Sequence, residues 1–270
     1  MQNLFLAGEG ETKPLKEVRP LARMIDQVGA DILAVQEVGS MRSLADLNSR
    51  LAKPYAESCV VEGNSNRAIH LGMLSRFPVR VTSHRERQLV DADGEVLRFF
   101  RDEPSAISGT TTPLVFFRDV LQCEFDLEEG KTLALFCVHL KSKTNPAWQM
   151  HAADTLRLAE CVALADLIRH YREAHPQNYV CVLGDCNDQY SSAALTPLRD
   201  LGLRDPLGDA LKKAGRNPST YWPKRRTRID HILVDAELAK RVLPDSPTIH
   251  INQMARTASD HFPVSLGLDL

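Results

Sequence analysis

The sequence predicts a mixed α/β fold in a single domain, and three observations carry that reading. Short apolar runs, bounded by glycine and polar residues, recur along the chain at strand length. One long amphipathic stretch, Ala147 to Ala174, separates two strand-rich halves, which points to two sheets. The 270 residues contain no linker, repeat or low-complexity tract, and that length supports one large core.

The elements follow in order. Met1–Leu6 reads as the second half of a strand. Leu15, Val18, Leu21, Met24, Ile25 and Val28 recur at helical spacing and stop at Gly29, which predicts a helix over much of Lys16–Val28. Ala30–Val38 is an apolar strand that ends in Glu37. A helix carrying Leu44, Leu47 and Leu51 leads to a strand at Tyr55–Val61, a polar loop to Arg67, and a strand and turn over Ile69–Val79. Ser83–Thr112 reads as surface loop with short edge strands. Leu114–Leu127 and Thr132–Leu140, joined through Glu128–Lys131, give the strongest hairpin signal. After the long helix comes the strand Tyr179–Asp188, then a short helix around Ser191–Leu198. Asp209–Pro223 reads as a long polar loop. The basic run Lys224–Arg228 feeds a strand at Ile229–Val234, and Thr257–Leu266 is a polar tip leading into a last strand.

Composition excludes several classes. A hydrophobic fraction of 43% with 25% charged residues is that of an ordinary globular chain, not a disordered one. No apolar run reaches membrane-spanning length. The net charge of −2 offers no global attraction to a polyanion, so such binding requires local basic patches. Six cysteines lack metal-site or disulfide spacing. They read as small buried hydrophobes in a reducing, cytoplasmic setting.

Chemistry concentrates where apolar runs stop. Glu37, His139, Asp185 with Asn187, Asp230, and Asp260 with His261 all stand at strand ends, where α/β proteins place ligand and catalytic groups. If the segment stays extended, Asp185 and Asn187 face the same way. Lys141 and Lys143 beside His139, and Trp222, Arg225, Arg226 and Arg228 in and before the basic run, suit a phosphate, a base and a nucleic-acid backbone, although each also fits a solvated loop. His70 and His231 sit in strand patterns that favour packing.

Six ordered segments together resemble the endonuclease/exonuclease/phosphatase superfamily: Ala34–Val38, Gly72–Val79, His139–Ser142, Gly184–Asn187, Arg228–Ile232 and Ser259–Val264. The resemblance spans nearly the whole chain. It implies a four-layer α/β/β/α sandwich of two mostly antiparallel sheets with flanking helices, and a divalent-metal-dependent phosphoesterase. It further implies that Glu37 is the main ligand of a Mg²⁺ or Mn²⁺ ion, with Asp260 a direct or water-bridged ligand. His261 would meet the phosphate or the attacking water, with Asp230 fixing its ring. Asp185 would act on the water or the leaving group, and Asn187 and His139 would contact phosphoryl oxygens. Asp185 and His261 both stand as candidate general base. The expected substrate is a phosphodiester, with DNA or RNA preferred. A small or lipid head-group phosphate is the alternative, and a weakly active or inactive binding module is the reading from another class. A monomer is expected. The pattern departs at one point: the first-strand Asn usual in such proteins is absent, which suggests that the native chain begins upstream of Met1.

Overall fold

A computed structural model describes residues 15–65, 69–91, 93–100, 111–144, 151–223 and 227–270. The elements in order are α1 (Leu15–Val28), β1 (Ile32–Val38), α2 (Met41–Ser49), β2 (Glu57–Val61), β3 (His70–Ser75), β4 (Arg80–Ser83), β5 (Arg98–Phe100), β6 (Thr111–Pro113), β7 (Val120–Asp126), β8 (Thr132–His139), α3 (Ala153–Ala174), β9 (Tyr179–Asp185), α4 (Thr196–Asp200), α5 (Pro206–Lys213), β10 (Asp230–Val234), α6 (Ala236–Ala239), β11 (Thr248–Ile249), α7 (Gln253–Ala258) and β12 (Val264–Ser265).

Two sheets face each other. One has the order β1-β3-β2, the other β10-β9-β8-β7-β4. Pairing is antiparallel except between β8 and β9, which run parallel. That exception follows from connectivity: α3 carries the chain back across the sheet, and a parallel pair requires such a crossover. Alternation along β8 then assigns its faces. Leu133, Leu135 and Cys137 pack with Leu71 and Met73 of β3 between the sheets, whereas Ala134, Phe136 and Val138 pack under α3 against Leu156, Leu164 and Ile168. On the far side, α1 and α2 cover β1 through Leu21, Ile25, Leu44, Leu47 and Val35. Helix, sheet, sheet and helix are thus stacked as the resemblance implied.

Several sequence expectations shift. The helix expected from Ala147 begins at Ala153, because Ala152 is extended (φ −57°, ψ 144°); residues 147–150 lie outside the described residues, as does Met1–Leu6. The first hairpin strand starts at Val120 rather than Leu114, since Asp119 turns aside to accept hydrogen bonds from Ser83 Oγ and His84 N. The long loop expected from Asp209 is helical up to Lys213: Asp205 caps α5 by accepting from Gly208 N, and Pro206 occupies the first turn. The last strand, β12, is two residues long and pairs with the equally short β11. All six cysteines are free thiols, and every one except Cys59 is buried. No described helix is long and apolar enough to cross a membrane.

Candidate active site

Three strands of the larger sheet deliver side chains to one end of the sandwich. In the ladder, His139 stands beside Asp185 and Asp185 opposite Asp230. By alternation His139 falls on the face of Cys137, Asp185 on that of Cys181 and Leu183, and Asp230 on that of Ile232 and Val234. Those neighbours all belong to the cluster between the sheets, so the three polar side chains sit where the inter-sheet core gives out. His139 Nε2 lies 3.5 Å from Asp185 Oδ2. Gly184 permits the approach: its φ of 134° suits glycine, and a Cβ there would lie 2.0 Å from the Val138 carbonyl oxygen.

His261 arrives on the loop after α7. Its Nδ1 is 2.9 and 3.0 Å from the two oxygens of Asp230, which fixes one tautomer with the proton on Nδ1. Asp230 is itself seated by Thr220, whose hydroxyl oxygen accepts from Asp230 N at 3.1 Å. The Tyr221 ring lies 5.1 Å from the His261 ring. One donor atom from each of Asp185, Asp230 and His261 lies within 4.8 Å of the other two.

Electrostatics push the two acids apart. Burial first, and then the Asp230 charge, raise the Asp185 carboxyl from 3.8 to about 7. Burial acts the same way on Asp230 but is overcome by the His261 charge and hydrogen bond, so Asp230 titrates below the ordinary value. His261 is the mirror case: burial lowers its pKa, and Asp230 outweighs burial and raises it.

Glu37 stands near the end of β1 in the other sheet. Between Val35 and Val38 the pairing of β1 with β3 slips by one residue, and Glu37 has φ 58°, a left-handed backbone that costs a non-glycine residue on the order of 1 kcal/mol. Strict alternation would set Glu37 with Leu33 and Val35 on the helix-covered face; the bulge breaks that alternation and keeps Val38 there instead. Contacts also connect this end of β1 to His139. Val38 pairs with His70, His70 Nδ1 accepts from Gly63 N, Gly63 packs against the Arg118 backbone, and Arg118 donates to the His139 carbonyl. Glu37 is half-buried and takes no hydrogen bond or ion pair from the described residues. Asp260, also half-buried, adjoins His261, and its carbonyl accepts from Trp222 N at 3.0 Å.

Other expected site residues fare differently. Asn187 does not extend the strand: its φ of 53° turns the chain, its N donates to Asp185 Oδ1 at 2.7 Å, and its Nδ2 donates to the Leu140 carbonyl at 2.9 Å. The expectation that Asp185 and Asn187 point the same way as strand neighbours is therefore corrected, because the strand ends between them. Lys141 is buried, and its Nζ donates to the carbonyls of Ser142 and Thr144. Arg228 is likewise committed, to Asp205 and to Nδ1 of the buried His231. Lys143 is exposed and paired with Asp188 at 2.8 Å. Trp222 is exposed, its Nε1 donating to Ser259 O. Arg225 and Arg226 lie outside the described residues. Sequence reasoning gave no role to Thr220 or to Asp188, which closes the Tyr179–Asp188 stretch, and met Tyr221 only as an aromatic neighbour of Trp222 before the basic run.

A model of the Endonuclease/Exonuclease/phosphatase family matches residues 7–261. The chain belongs to this family. Its members are generally hydrolases acting on phosphate esters, and they generally use divalent metals. No curated protein sequence matches the chain. Among solved structures, the chain is similar in fold to the human Nocturnin catalytic domain with bound sulfate, at TM-score 0.62 and 15% identity over 98% of this chain and 92% of that one. A truncated Caenorhabditis elegans TDP2 follows at TM-score 0.56, 17% identity and coverages of 97% and 93%. A mannosyl-6-phosphatase of Bacteroides thetaiotaomicron matches at TM-score 0.52, 18% identity and coverages of 94% and 91%. At these identities the likeness concerns the fold.

Proposed function

We propose that the protein is a divalent-metal-dependent phosphodiesterase whose working groups are Glu37, His139, Asp185, Asn187, Asp230, Asp260 and His261. The observation that carries the proposal is the convergence of Asp185, Asp230 and His261 at the mouth of the inter-sheet core, with the two acids driven to opposite pKa shifts. Paired titratable groups pushed apart in this way mark acid–base sites.

The donor set fits a hard cation. Glu37 offers, on a strained bulge, a carboxylate that takes no side-chain partner among the described residues, and Asp260 adds another beside His261, which suits Mg²⁺ or Mn²⁺ with their preference for oxygen ligands. Glu37 and Asp260 would hold such an ion, which would supply positive charge to phosphoryl oxygens. The chain's own residues do the rest. Asp230 keeps His261 oriented and favours its protonated form, so that the ring presents charge to a phosphate. Asp185, titrating at about 7, accepts a proton from water or returns one to the leaving oxygen within one pH range. His139 stands 3.5 Å from Asp185 and serves the same phosphate. Asn187, fixed by the Leu140 carbonyl, holds its amide at the rim.

Nucleic acid remains the preferred substrate, supported by the exposed Trp222 and by Tyr221 packed on His261, surfaces on which a base can stack. A small phosphate ester is the second reading. The commitment of Lys141 and Arg228 to internal partners favours it, since it removes two cations a polymer would use. Parallel Mg²⁺-supplemented assays on a labelled oligonucleotide, a plasmid, a sugar phosphate and a generic phosphodiester separate them. Nuclease action predicts turnover of the polymers and its loss in Trp222→Ala. Turnover of the sugar phosphate alone would overturn the nuclease reading.

A further inference from the structure

Behind the candidate site lies a buried charged network for which the proposed chemistry has no direct use. Arg157 of α3 is fully buried. Its Nη1 donates to the Lys141 carbonyl at 3.0 Å, and its Nε and Nη2 donate to Asp188 Oδ2 at 3.2 and 2.9 Å; Nη2 also meets Asp154. One guanidinium thereby ties two segments together: the strap that follows His139, and the turn that carries Asp185 and Asn187. Asp188 is held from further sides. Its Oδ1 accepts from Lys143 Nζ and from Gln189 N, and its carbonyl accepts from His231 Nε2 at 2.9 Å. Because His231 donates through Nε2, its Nδ1 is the acceptor that receives Arg228 Nη1 at 3.0 Å. Arg228 in turn meets the N-cap carboxylate of α5.

We infer that Asp188, gripped by Arg157 and His231, is a positioning residue that sets Asp185 and Asn187 relative to His139. Three features carry this. A buried ion pair adds little stability over an apolar pair of the same volume, so stability alone does not account for Arg157 and Asp188. The turn bends at Asn187, one residue before Asp188, with a left-handed backbone that asparagine tolerates and that contacts on both sides hold in place. The strap and the turn also meet directly, through Asn187 Nδ2 on the Leu140 carbonyl and Leu140 N on the Asp185 carbonyl at 2.9 Å each. A displacement of Asp188 is therefore transmitted to the groups expected to face the phosphate, and small misplacements of such groups cost large factors in rate.

This inference rests on the phosphoesterase reading, and the test separates the two. The double variant Arg157→Met with Asp188→Leu removes both charges and keeps the volume filled. Steady-state hydrolysis of bis(p-nitrophenyl) phosphate with Mg²⁺ and the NMR cross-peaks of the Asn187 side-chain amide are read alongside the melting temperature. The expected result is a fall in kcat of at least about 30-fold, KM within about 3-fold of wild type and a shifted Asn187 amide. His231→Gln, whose amide can donate to Asp188 O and accept from Arg228, is expected to recover most of the wild-type kcat and amide shift. A folded double variant with wild-type kcat and an unmoved Asn187 amide overturns the inference, even if its melting temperature drops. Should the double variant fail to fold, Asp188→Asn is read by the same two measurements against the same outcomes. If the wild type shows no hydrolysis, the phosphoesterase reading fails, and the amide still decides whether Asp188 positions the turn.

Discussion

Asp230 acts on His261 in two ways, holding one ring tautomer through Nδ1 and raising the proton affinity of the ring. Both are lost in Asp230→Asn, which keeps the shape but not the charge. The expected outcome is a fall in kcat on the order of 10²-fold or more, together with a lower His261 pKa by NMR titration. Asp185 gives a separate test through stability. Its folded value, about 7, lies above the ordinary 3.8, so its contribution is full below about pH 4 and is lost as pH rises through 7. Asp230 runs the other way, since its contribution is present above 3.8 and lost as pH falls. In chelator, urea denaturation should show wild type losing on the order of 1–3 kcal/mol more than Asp185→Asn between pH 5 and 8. Parallel curves for the two proteins would remove burial as the cause of the shift.

At the scale of elements, the end of β9 is where backbone geometry decides the site. Gly184 lies against the Val138 carbonyl of β8, and no side chain fits between the two strands. Gly184→Ala is expected to cost about 3 kcal/mol or more, seen as a large drop in melting temperature, because relief requires the parallel pair of β8 and β9 to separate. The apolar run Tyr179–Leu183 made this strand legible. In the turn after it, Asp and Asn signal a loop, but which residue takes the left-handed backbone was not legible. The bulge at Glu37 escaped for the same reason: an apolar run shows a strand, whereas an inserted residue shows only in the register with β3. In α5 the signal was present in Asp205-Pro206, a capping residue followed by a first-turn proline, but the polar residues beyond it masked the pattern.

At the scale of the molecule, strand runs made sheets legible and the family resemblance supplied their stacking; the long helix does not divide the two sheets, as its position suggested, because β8 before it and β9 after it pair within one sheet. Which strand ends carry polar groups was legible too, and the structure gathers Asp185, Asp230 and His261 from segments far apart in sequence. The fate of the cations was not legible. Lys141 and Arg228 look like phosphate ligands in a linear chain, and only the fold shows carbonyls and Asp205 taking their charges. The larger sheet brings two carboxylates together with an anchored histidine, and the account predicts that an added ion switches this assembly on. The most direct test is the initial rate on bis(p-nitrophenyl) phosphate of metal-stripped protein titrated with MgCl₂ or MnCl₂, for wild type, Glu37→Gln and His261→Ala. Expected is negligible turnover without metal, saturable recovery in wild type, and a loss of about 10²-fold or more in both variants. Turnover that persists in chelator, or that survives both substitutions, would contradict the account.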